Sequence, residues 1–248
     1  MSVYQALLQS AERQGAGYLV LIDPDNWTEE SVVKFVEQVN ASGADAIMVG
    51  GSLNTRGNWD SKLIQIKKAA SLPVLLFPGS LGQVSEHADA LLFLSLISGR
   101  NPQSLIADQV HAAPLIQHIG IEPIATAYML VESGKPTTAE FMSGTRPLPR
   151  SKPDIAVAHA LAAAYLGFKL IYLEAGSGAE LSVPIEMIQA VAQSTDVPVM
   201  VGGGIREPEM AAEYVSAGAR FIITGNVLEA NPDPGLLKAF ARAVHRKN

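Results

Sequence analysis

Short apolar runs alternate with stretches of helical spacing along most of the 248-residue chain. The stretch 29–43 has helical spacing, because one side of a helix would be lined by Val32, Val33, Phe35, Val36 and Val39. The apolar runs predict eight strands, at residues 18–23, 44–52, 73–79, 88–97, 122–131, 169–176, 197–201 and 220–226.

Most of the predicted strands are followed by a predicted helix. The helices fall at residues 29–43, 61–71, 102–120, 154–167, 184–195, 207–218 and 234–248. Pro114 predicts a kink or break within its helix, and Gly167 predicts a helix C-cap. The link 80–87 after the third strand is short and polar, so the third helix is expected to be short or replaced by a loop.

Buried strands that alternate with helices are typical of a parallel sheet covered on both faces. Eight such units in about 250 residues predict a (β/α)₈ TIM barrel. A doubly wound open sheet is the competing architecture. No linker or change in composition divides the chain, so a single domain over residues 1–248 is expected.

The segment 132–153, between the fifth strand and the next helix, is longer than an ordinary βα loop. Loops of this length are usually lids, binding loops or disordered segments, and a passive excursion is the alternative. On a barrel the segment would lie at the carboxyl-terminal face, where active sites occur. It would carry Lys135, Arg146, Arg150 and Lys152 to a face where an anion could bind.

Composition removes several classes of function. The chain has no cysteine, which excludes disulfides, thiolate zinc sites and thiol nucleophiles. Its net charge is −6 and its lysines and arginines form no internal run, so no nucleic-acid partner is expected. The first residues do not read as a signal peptide and no apolar run reaches about 18 residues. A cytoplasmic location is therefore expected.

Two aspartates follow the first predicted strand. Asp23 and Asp25 are two residues apart in an extended segment, which places both side chains on the same side. A pair of carboxylates suits a hard cation such as Mg²⁺. The alternative is that one of them caps the helix that follows.

The second strand ends in two glycines and Ser52, which is either a place of close backbone approach or a tight turn. The sixth strand ends in Tyr172 and Glu174, which share a face. Burying Glu174 is costly unless it has a partner or a role, so it is either a functional group or a structural acceptor for loop amides.

Glycine-rich turns follow the seventh and eighth predicted strands, as GGGI at 202–205 and TGN at 224–226. The loops after these two strands often form the phosphate site of a barrel, because glycines let amide groups converge on an anion. The residues therefore predict an enzyme that binds a phosphate, assisted by Mg²⁺ and carrying one well-placed glutamate.

Seven motifs together resemble those of the geranylgeranylglyceryl phosphate synthase family, which includes the PcrB-type bacterial proteins. They span nearly the whole chain, and YLEAGSG with VGGGIR separates the family best from other phosphate-binding barrels. LLFPG followed by RSKPD is similar to the larger of the family's two groups. The motifs are LIDPD, MVGGS, LLFPG, RSKPD, YLEAGSGA, VGGGIR and TGN.

The resemblance implies a prenyltransferase that joins sn-glycerol 1-phosphate to a polyprenyl diphosphate through an ether bond. It places Mg²⁺ at Asp23 and Ser52, and makes Glu174 the candidate general base. It also implies a homo-oligomer, a dimer or hexamer, and contact with a membrane through the lipid product. The implied substrate-binding residues are Tyr172, Leu173, Glu174, Ala175, Gly176, Ser177, Gly178, Gly203, Gly204, Gly225 and Asn226.

Two positions qualify the resemblance. Some relatives have glutamate at the position of Asp25, and some have a lysine where this chain has Leu21, so another group would have to supply that charge or none does. Leu96, Ala125 and Tyr128 are candidates for a prenyl groove, with core packing as the alternative for each. An isomerase or lyase that uses Asp23 and Asp25 as acid and base on a sugar phosphate is the second hypothesis, and a non-enzymatic phosphate sensor or assembly subunit is the third.

Overall fold

The computed structural model describes residues 1–51 and 53–246. Within them, eight parallel strands pair in chain order and close into a barrel. Gly17 of the first strand lies opposite Phe221 of the last, which confirms the predicted (β/α)₈ barrel and rules out an open sheet. The strands are Gly17–Ile22 (β1), Ala46–Val49 (β2), Val74–Leu76 (β3), Ala90–Leu96 (β4), Glu122–Leu130 (β5), Leu170–Glu174 (β6), Val199–Gly202 (β7) and Phe221–Thr224 (β8).

Helices cover the outside of the barrel. In the described ranges they are Val3–Gln14 (α1), Glu29–Asn40 (α2), Trp59–Ala69 (α3), Asp108–Ile119 (α4), Thr138–Ser143 (α5), Pro153–Tyr165 (α6), Ile185–Ser194 (α7), Pro208–Ser216 (α8), Asn226–Ala230 (α9) and Pro234–Val244 (α10). A three-residue 3₁₀ turn, Leu81–Gln83, stands where a helix would follow β3, as the polar link predicted.

Two apolar layers follow from the alternation of side chains along each strand. The inner layer fills the barrel with residues such as Met48, Leu92 and Met200. The outer layer packs strand residues such as Ile47 and Val201 against the helices. Both layers are fully buried, so the barrel is a packed core and its chemistry is confined to the ends.

Helix α1 closes the amino end of the barrel, a role that the hydrophobic pattern did not predict. Ser2 caps the helix in a reciprocal capping box. The Glu122 carboxylate accepts the N–H groups of Val3 and Tyr4, and Leu7 packs into the inner layer. The carboxyl end is thereby left as the open end.

The element ends differ from the predicted ones in a few places. Strands stop earlier than the apolar runs, as at β2, because the glycines after Val49 form the rim. Pro114 lies within α4 without ending it, and a π-helical turn, Gln103–Ala107, precedes that helix. No helix in the described ranges has both the length and the apolar character needed to cross a membrane.

Candidate active site

A cavity of about 920 Å³ opens at the carboxyl end of the barrel. Each of the eight strands, or the loop after it, contributes to the wall. The long segment 132–153 also reaches it, because Ala139 and Met142 of α5 line one side. The segment is therefore an ordered part of the cavity wall at the face where barrel enzymes carry their catalytic groups.

The turn after β7 forms a floor of main-chain amides. Gly203 and Gly204 have φ angles of 81° and 72°, a region that L-residues with side chains rarely adopt. A Cβ on Gly203 would lie 2.3 Å from Oε1 of Glu174, so this position also has no room for a side chain. Neither amide donates a hydrogen bond to another described residue. These two free N–H groups suit an anion.

The turn after β8 is joined to the loop after β6. Oδ1 of Asn226 accepts hydrogen bonds from the Ser177 hydroxyl at 3.1 Å and from the Gly178 amide at 3.3 Å. Gly225 lines the same part of the cavity. The structure thus brings the candidate phosphate-binding residues of three neighbouring strands side by side.

Glu174 lies at the end of β6 with 5% of its surface exposed, and it lines the cavity. Its Oε1 accepts the Gly176 amide at 2.7 Å, which fixes the carboxylate orientation. Burial raises the pKa of Glu174, although the Tyr172 hydroxyl and the Gly176 N–H pull that pKa back in part. A carboxylate with a raised pKa is a better proton acceptor for a substrate hydroxyl.

The Tyr172 hydroxyl is buried beside Glu174. A Cβ on Gly202 would come within 2.5 Å of this hydroxyl and 2.8 Å of Oε2 of Glu174, so both groups converge on the bare end of β7. Among the described residues the hydroxyl has no hydrogen bond of ordinary geometry. Burial and the charge of Glu174 hold the pKa of Tyr172 well above 10, so it keeps its proton. Its neighbour is Glu174, and the absence of a well-formed hydrogen bond leaves the hydroxyl available to a substrate at the cavity wall.

Asp23 follows β1 and lines the cavity from the opposite side. Its Oδ1 accepts the Asp25 amide at 3.0 Å and holds the 3₁₀ turn Pro24–Asn26 in place. Burial raises the pKa of Asp23, and the Asp25 charge adds to that effect, while the Asp25 N–H and Lys62 oppose it.

Asp25 has a different task from Asp23. Its Oδ2 accepts both the amide and the hydroxyl of Thr55, at 2.7 and 2.8 Å, and so fastens the loop after β2 to the turn after β1. Burial raises the pKa of Asp25, but the two bonds from Thr55, with the Lys62 charge and the Arg56 amide, more than offset this and the pKa is lowered. Asp25 does not line the cavity, so the structure does not support an acid–base pair of Asp23 and Asp25.

The surroundings of Asp23 fit a shared metal ion. Oδ2 accepts no hydrogen bond from the described residues, and a Cβ on Gly51 would approach both carboxylate oxygens within 2.7 Å. The described chain has no group of three or more His, Cys, Asp or Glu placed to hold a metal. One free carboxylate suits Mg²⁺, which usually takes its other ligands from substrate phosphates and water. Ser52, the second predicted ligand, lies outside the described residues.

Aromatic and aliphatic side chains line much of the rest of the cavity, and several polar residues between positions 101 and 109 line its far wall. The rings of Phe77, Tyr128 and Tyr172 pack against one another with centroids 5.4 to 5.9 Å apart. The cavity then extends past Phe93 of β4 towards Ala112 of α4, where the short link after β3 leaves space that a full helix would fill. This arm suits a long hydrocarbon.

Several sequence-predicted residues lie away from the cavity. Leu173 and Ala175 belong to the outer core layer, which corrects the prediction that they line the substrate site. Gly176 also lies off the wall, and its amide orients Glu174. Leu96 and Tyr128 do line the cavity, but Ala125 does not.

None of the four cations predicted on the long loop reaches the cavity wall. Arg150 instead donates to the carbonyls of Glu132 and Ser182 and so braces the loop. Lys135, Arg146 and Lys152 also lie away from the wall. The structure therefore does not support the expectation that the cations of this loop bind an anion in the cavity.

Three charged residues at the cavity were missed by sequence reasoning: Asp108, Arg206 and Glu229. Arg206, two residues after the amide floor, lines the wall and donates to the Ala179 carbonyl at 2.9 Å. Its place at the end of VGGGIR was the available signal. Glu229 of α9 also lines the wall. Burial raises the pKa of Glu229, and hydrogen bonds from the Asp23 N–H and the Asn26 amide oppose that shift. No sequence pattern marked Glu229.

Leu21, the position where some relatives carry lysine, lines the cavity beside Gly225. A different lysine, Lys62, contacts the turn of the two aspartates from outside the cavity. Lys62 of α3 is only 2% exposed and its ammonium donates to the Pro24 carbonyl. Because Lys62 does not line the cavity, it balances the aspartate charge without reaching a ligand.

Comparison with known proteins agrees with this geometry. The chain is 48% identical over 213 residues to geranylgeranylglyceryl phosphate synthase of Thermococcus gammatolerans, covering 86% of this chain and 84% of the relative. It is 41% identical to the Chitinophaga pinensis enzyme of the same name, over 98% of this chain and 96% of that one.

A solved structure is also similar over its whole length. The (S)-3-O-geranylgeranylglyceryl phosphate synthase of Thermoplasma acidophilum, in complex with its substrate sn-glycerol-1-phosphate, superposes with a TM-score of 0.93. The two chains are 34% identical, with 99% of each covered. The PcrB family model matches residues 9–244. This chain therefore belongs to the PcrB family, together with its relatives named geranylgeranylglyceryl phosphate synthase.

Proposed function

We propose that this chain joins the C3 hydroxyl of sn-glycerol 1-phosphate to a polyprenyl diphosphate through an ether bond and releases diphosphate. Geranylgeranyl diphosphate is the proposed donor, because the relatives carry the name of that synthase. One observation carries the proposal. The buried Glu174 carboxylate and the adjacent Tyr172 hydroxyl lie between a floor of free amides and a largely apolar arm of one cavity.

The acceptor fits the polar side of the cavity. Its phosphate would lie on the amides of Gly203 and Gly204, next to Asn226 and Ser177, which are already hydrogen-bonded to each other. Oε1 of Glu174 is directly adjacent to Gly203. A glycerol phosphate held at this floor therefore has its free hydroxyl within reach of the glutamate.

The reaction follows from that placement. The C3 oxygen attacks C1 of the prenyl chain, and a new C–O bond forms while the bond from C1 to the diphosphate oxygen breaks, its electron pair leaving with diphosphate. The hydroxyl proton passes to Glu174, which returns it to solvent. General-base catalysis of this kind is worth roughly 10²–10⁴-fold. The Tyr172 hydroxyl is proposed to hold the acceptor in line for attack.

The donor fits the apolar arm and the Asp23 side. Oδ2 of Asp23, with Ser52 from the family resemblance, would hold Mg²⁺, which neutralises charge on a departing diphosphate. The Phe77, Tyr128 and Tyr172 rings would flank the first prenyl units, and the arm beyond Phe93 would take the remainder. Assembly as a homo-oligomer, a cytoplasmic location and contact with a membrane through the product stay predictions from sequence.

The experiment is an assay with MgCl₂, sn-glycerol 1-phosphate and labelled prenyl diphosphates of several lengths, with sn-glycerol 3-phosphate as the matched control. We expect an ether-linked product with the 1-phosphate, at a rate that depends on prenyl length. Removing divalent ions with EDTA should abolish turnover. An absence of ether product at every chain length would contradict the function, whereas full activity in EDTA would contradict only the metal.

A further inference from the structure

Glu229 connects two parts of the cavity that are distant in sequence. It lies on α9, whose first residue Asn226 belongs to the candidate phosphate turn. Its Oε1 accepts the main-chain N–H of Asp23 at 2.8 Å, and its Oε2 accepts the side-chain amide of Asn26 at 2.8 Å. Both oxygens of the Glu229 carboxylate therefore accept hydrogen bonds from the turn after β1.

The same turn is held from its other side by Lys62. The Lys62 ammonium donates to the carbonyl of Pro24, the residue directly after Asp23. Because Oδ1 of Asp23 also accepts the Asp25 amide, the backbone and one carboxylate oxygen are fixed. Only Oδ2 of Asp23 is left free, and its position is set by these contacts.

The cost of this arrangement indicates a purpose beyond holding a loop. Glu229 is a carboxylate close to Asp23, and each charge disfavours the other in this partly buried setting. A neutral side chain could have accepted the Asp23 N–H without this repulsion. A cation bound at Asp23 would relieve this repulsion, because it would neutralise the Asp23 charge.

We propose that Glu229 is the positioning residue that aims Oδ2 of Asp23 at a divalent cation carrying diphosphate. Glu229 itself makes no contact with the cation in this scheme, because both of its oxygens are engaged. The inference rests on the proposed function, since it assigns the metal and diphosphate to the Asp23 side of the cavity. Groups that orient a metal ligand in this way typically contribute 10- to 100-fold to metal affinity.

The test measures metal binding separately from turnover. Mn²⁺ with inorganic diphosphate is titrated with protein and followed by electron paramagnetic resonance, and binding of sn-glycerol 1-phosphate without metal is measured by calorimetry. Glu229→Ala should weaken the Mn²⁺–diphosphate affinity by about tenfold. It should change the glycerol phosphate affinity by less than about twofold, because the Gly203 and Gly204 amides are untouched.

Two further variants separate positioning from general stability. Glu229→Gln keeps an oxygen for the Asp23 N–H but loses the acceptor for the Asn26 amide, so its Mn²⁺–diphosphate affinity should lie between those of Glu229→Ala and wild type. It serves as the test if the alanine variant does not fold. Glu122→Gln is the matched control, because Glu122 also accepts two main-chain N–H groups but lies at the amino end. It should leave both affinities unchanged.

The outcomes are distinguishable. Equal weakening of both ligands by the Glu229 variants, or no weakening of Mn²⁺–diphosphate, would overturn the positioning role. A wild-type protein that binds glycerol phosphate but never binds Mn²⁺–diphosphate would contradict the metal part of the proposed function itself, and the role of Glu229 with it.

Discussion

The two ends of the barrel treat buried carboxylates in opposite ways. At the amino end, Asp45 accepts hydrogen bonds from Ser10, Gln14, the Tyr18 amide and His245. Burial alone would raise the pKa of Asp45, but these donors more than offset it, and its pKa is lowered. At the carboxyl end, three carboxyl groups that line the cavity have raised pKa values: the buried Glu174 and the partly buried Asp23 and Glu229.

The difference lies in how many donors each carboxylate receives. Asp45 has a donor for nearly every lone pair, so its charge stabilises the fold. Glu174 receives one amide and lies next to the Tyr172 hydroxyl, which itself lacks a full hydrogen bond in the described chain. The amino end is built for stability, and the carboxyl end keeps its polar groups short of partners so that ligands can supply them.

The sharpest way to break this contrast is Glu174→Gln. We expect turnover to fall by roughly 10²- to 10⁴-fold because the general base is lost. The fold should survive, since a glutamine oxygen can still accept the Gly176 amide. Steady-state kinetics against wild type provide the measurement, and near-wild-type turnover would remove the base role.

The stability of the same variant is its control. The pKa of Glu174 is higher in the folded state than in the unfolded state, so protonated Glu174 stabilises the fold. This stabilisation is complete below the pKa of the unfolded state and is lost as the pH rises through the pKa of the folded state. Glutamine does not titrate. Glu174→Gln should therefore be at least as stable as wild type near pH 8, with a smaller advantage near pH 5, in thermal unfolding experiments.

A smaller effect is expected at the amide floor. Gly203→Ala would place a Cβ 2.3 Å from Oε1 of Glu174 and 2.7 Å from the Gly176 amide, at a φ of 81°. We expect the KM for sn-glycerol 1-phosphate to rise about tenfold or more, because both the floor and the base are displaced.

Gly120→Ala is the matched control for that substitution. Gly120 has a similar φ of 72°, but nothing lies within 4 Å of the added Cβ. Both variants carry the backbone strain of about 1 kcal/mol, and only Gly203→Ala should change KM. An equal change of KM in the two variants would mean that strain, not the floor, is responsible.

The smallest effect on catalysis is expected at the amino end. Asp45→Asn should lower the free energy of unfolding by about 2 kcal/mol, because hydrogen bonds to a charged group are lost, and leave kcat and KM unchanged. Since the pKa of Asp45 is lowered, the difference from wild type should be complete above the unfolded value of 3.8 and shrink as the pH falls below it. Chemical denaturation across pH measures this, and altered kinetics would contradict the division between the two ends.

The barrel and the glycine turns could be predicted from sequence because both leave local patterns. Eight apolar runs with intervening helical spacing determine the architecture. Gly203 marks a place where a side chain would be excluded, Gly204 has a positive φ that disfavours one, and a Cβ on Gly225 would lie 3.3 Å from Leu21. The polar link at 80–87 also correctly predicted that a short turn replaces the third helix.

Other features depend on contacts between distant segments and left no local signal. Asp23 and Asp25 look equivalent in sequence, but Thr55 captures Asp25 and leaves only Asp23 at the cavity. Glu229 gains its role from a contact 206 residues away. Leu173 was predicted to bind substrate because its neighbours in the YLEAGSG motif were also predicted to bind it. Side chains alternate along a strand, however, and this alternation directs Leu173 into the outer core layer.

The most direct test of the account is the pH dependence of kcat/KM for wild type and Glu174→Gln. A base must be ionised to act, so wild-type kcat/KM should fall tenfold per pH unit below the pKa of Glu174, which burial raises above its ordinary 4.5. Ionisations of the substrate phosphate or of Asp23 would appear in both profiles. We predict an acidic limb that is present in wild type and missing from Glu174→Gln. Identical limbs in the two proteins would contradict the central claim that the buried Glu174 carboxylate accepts the proton.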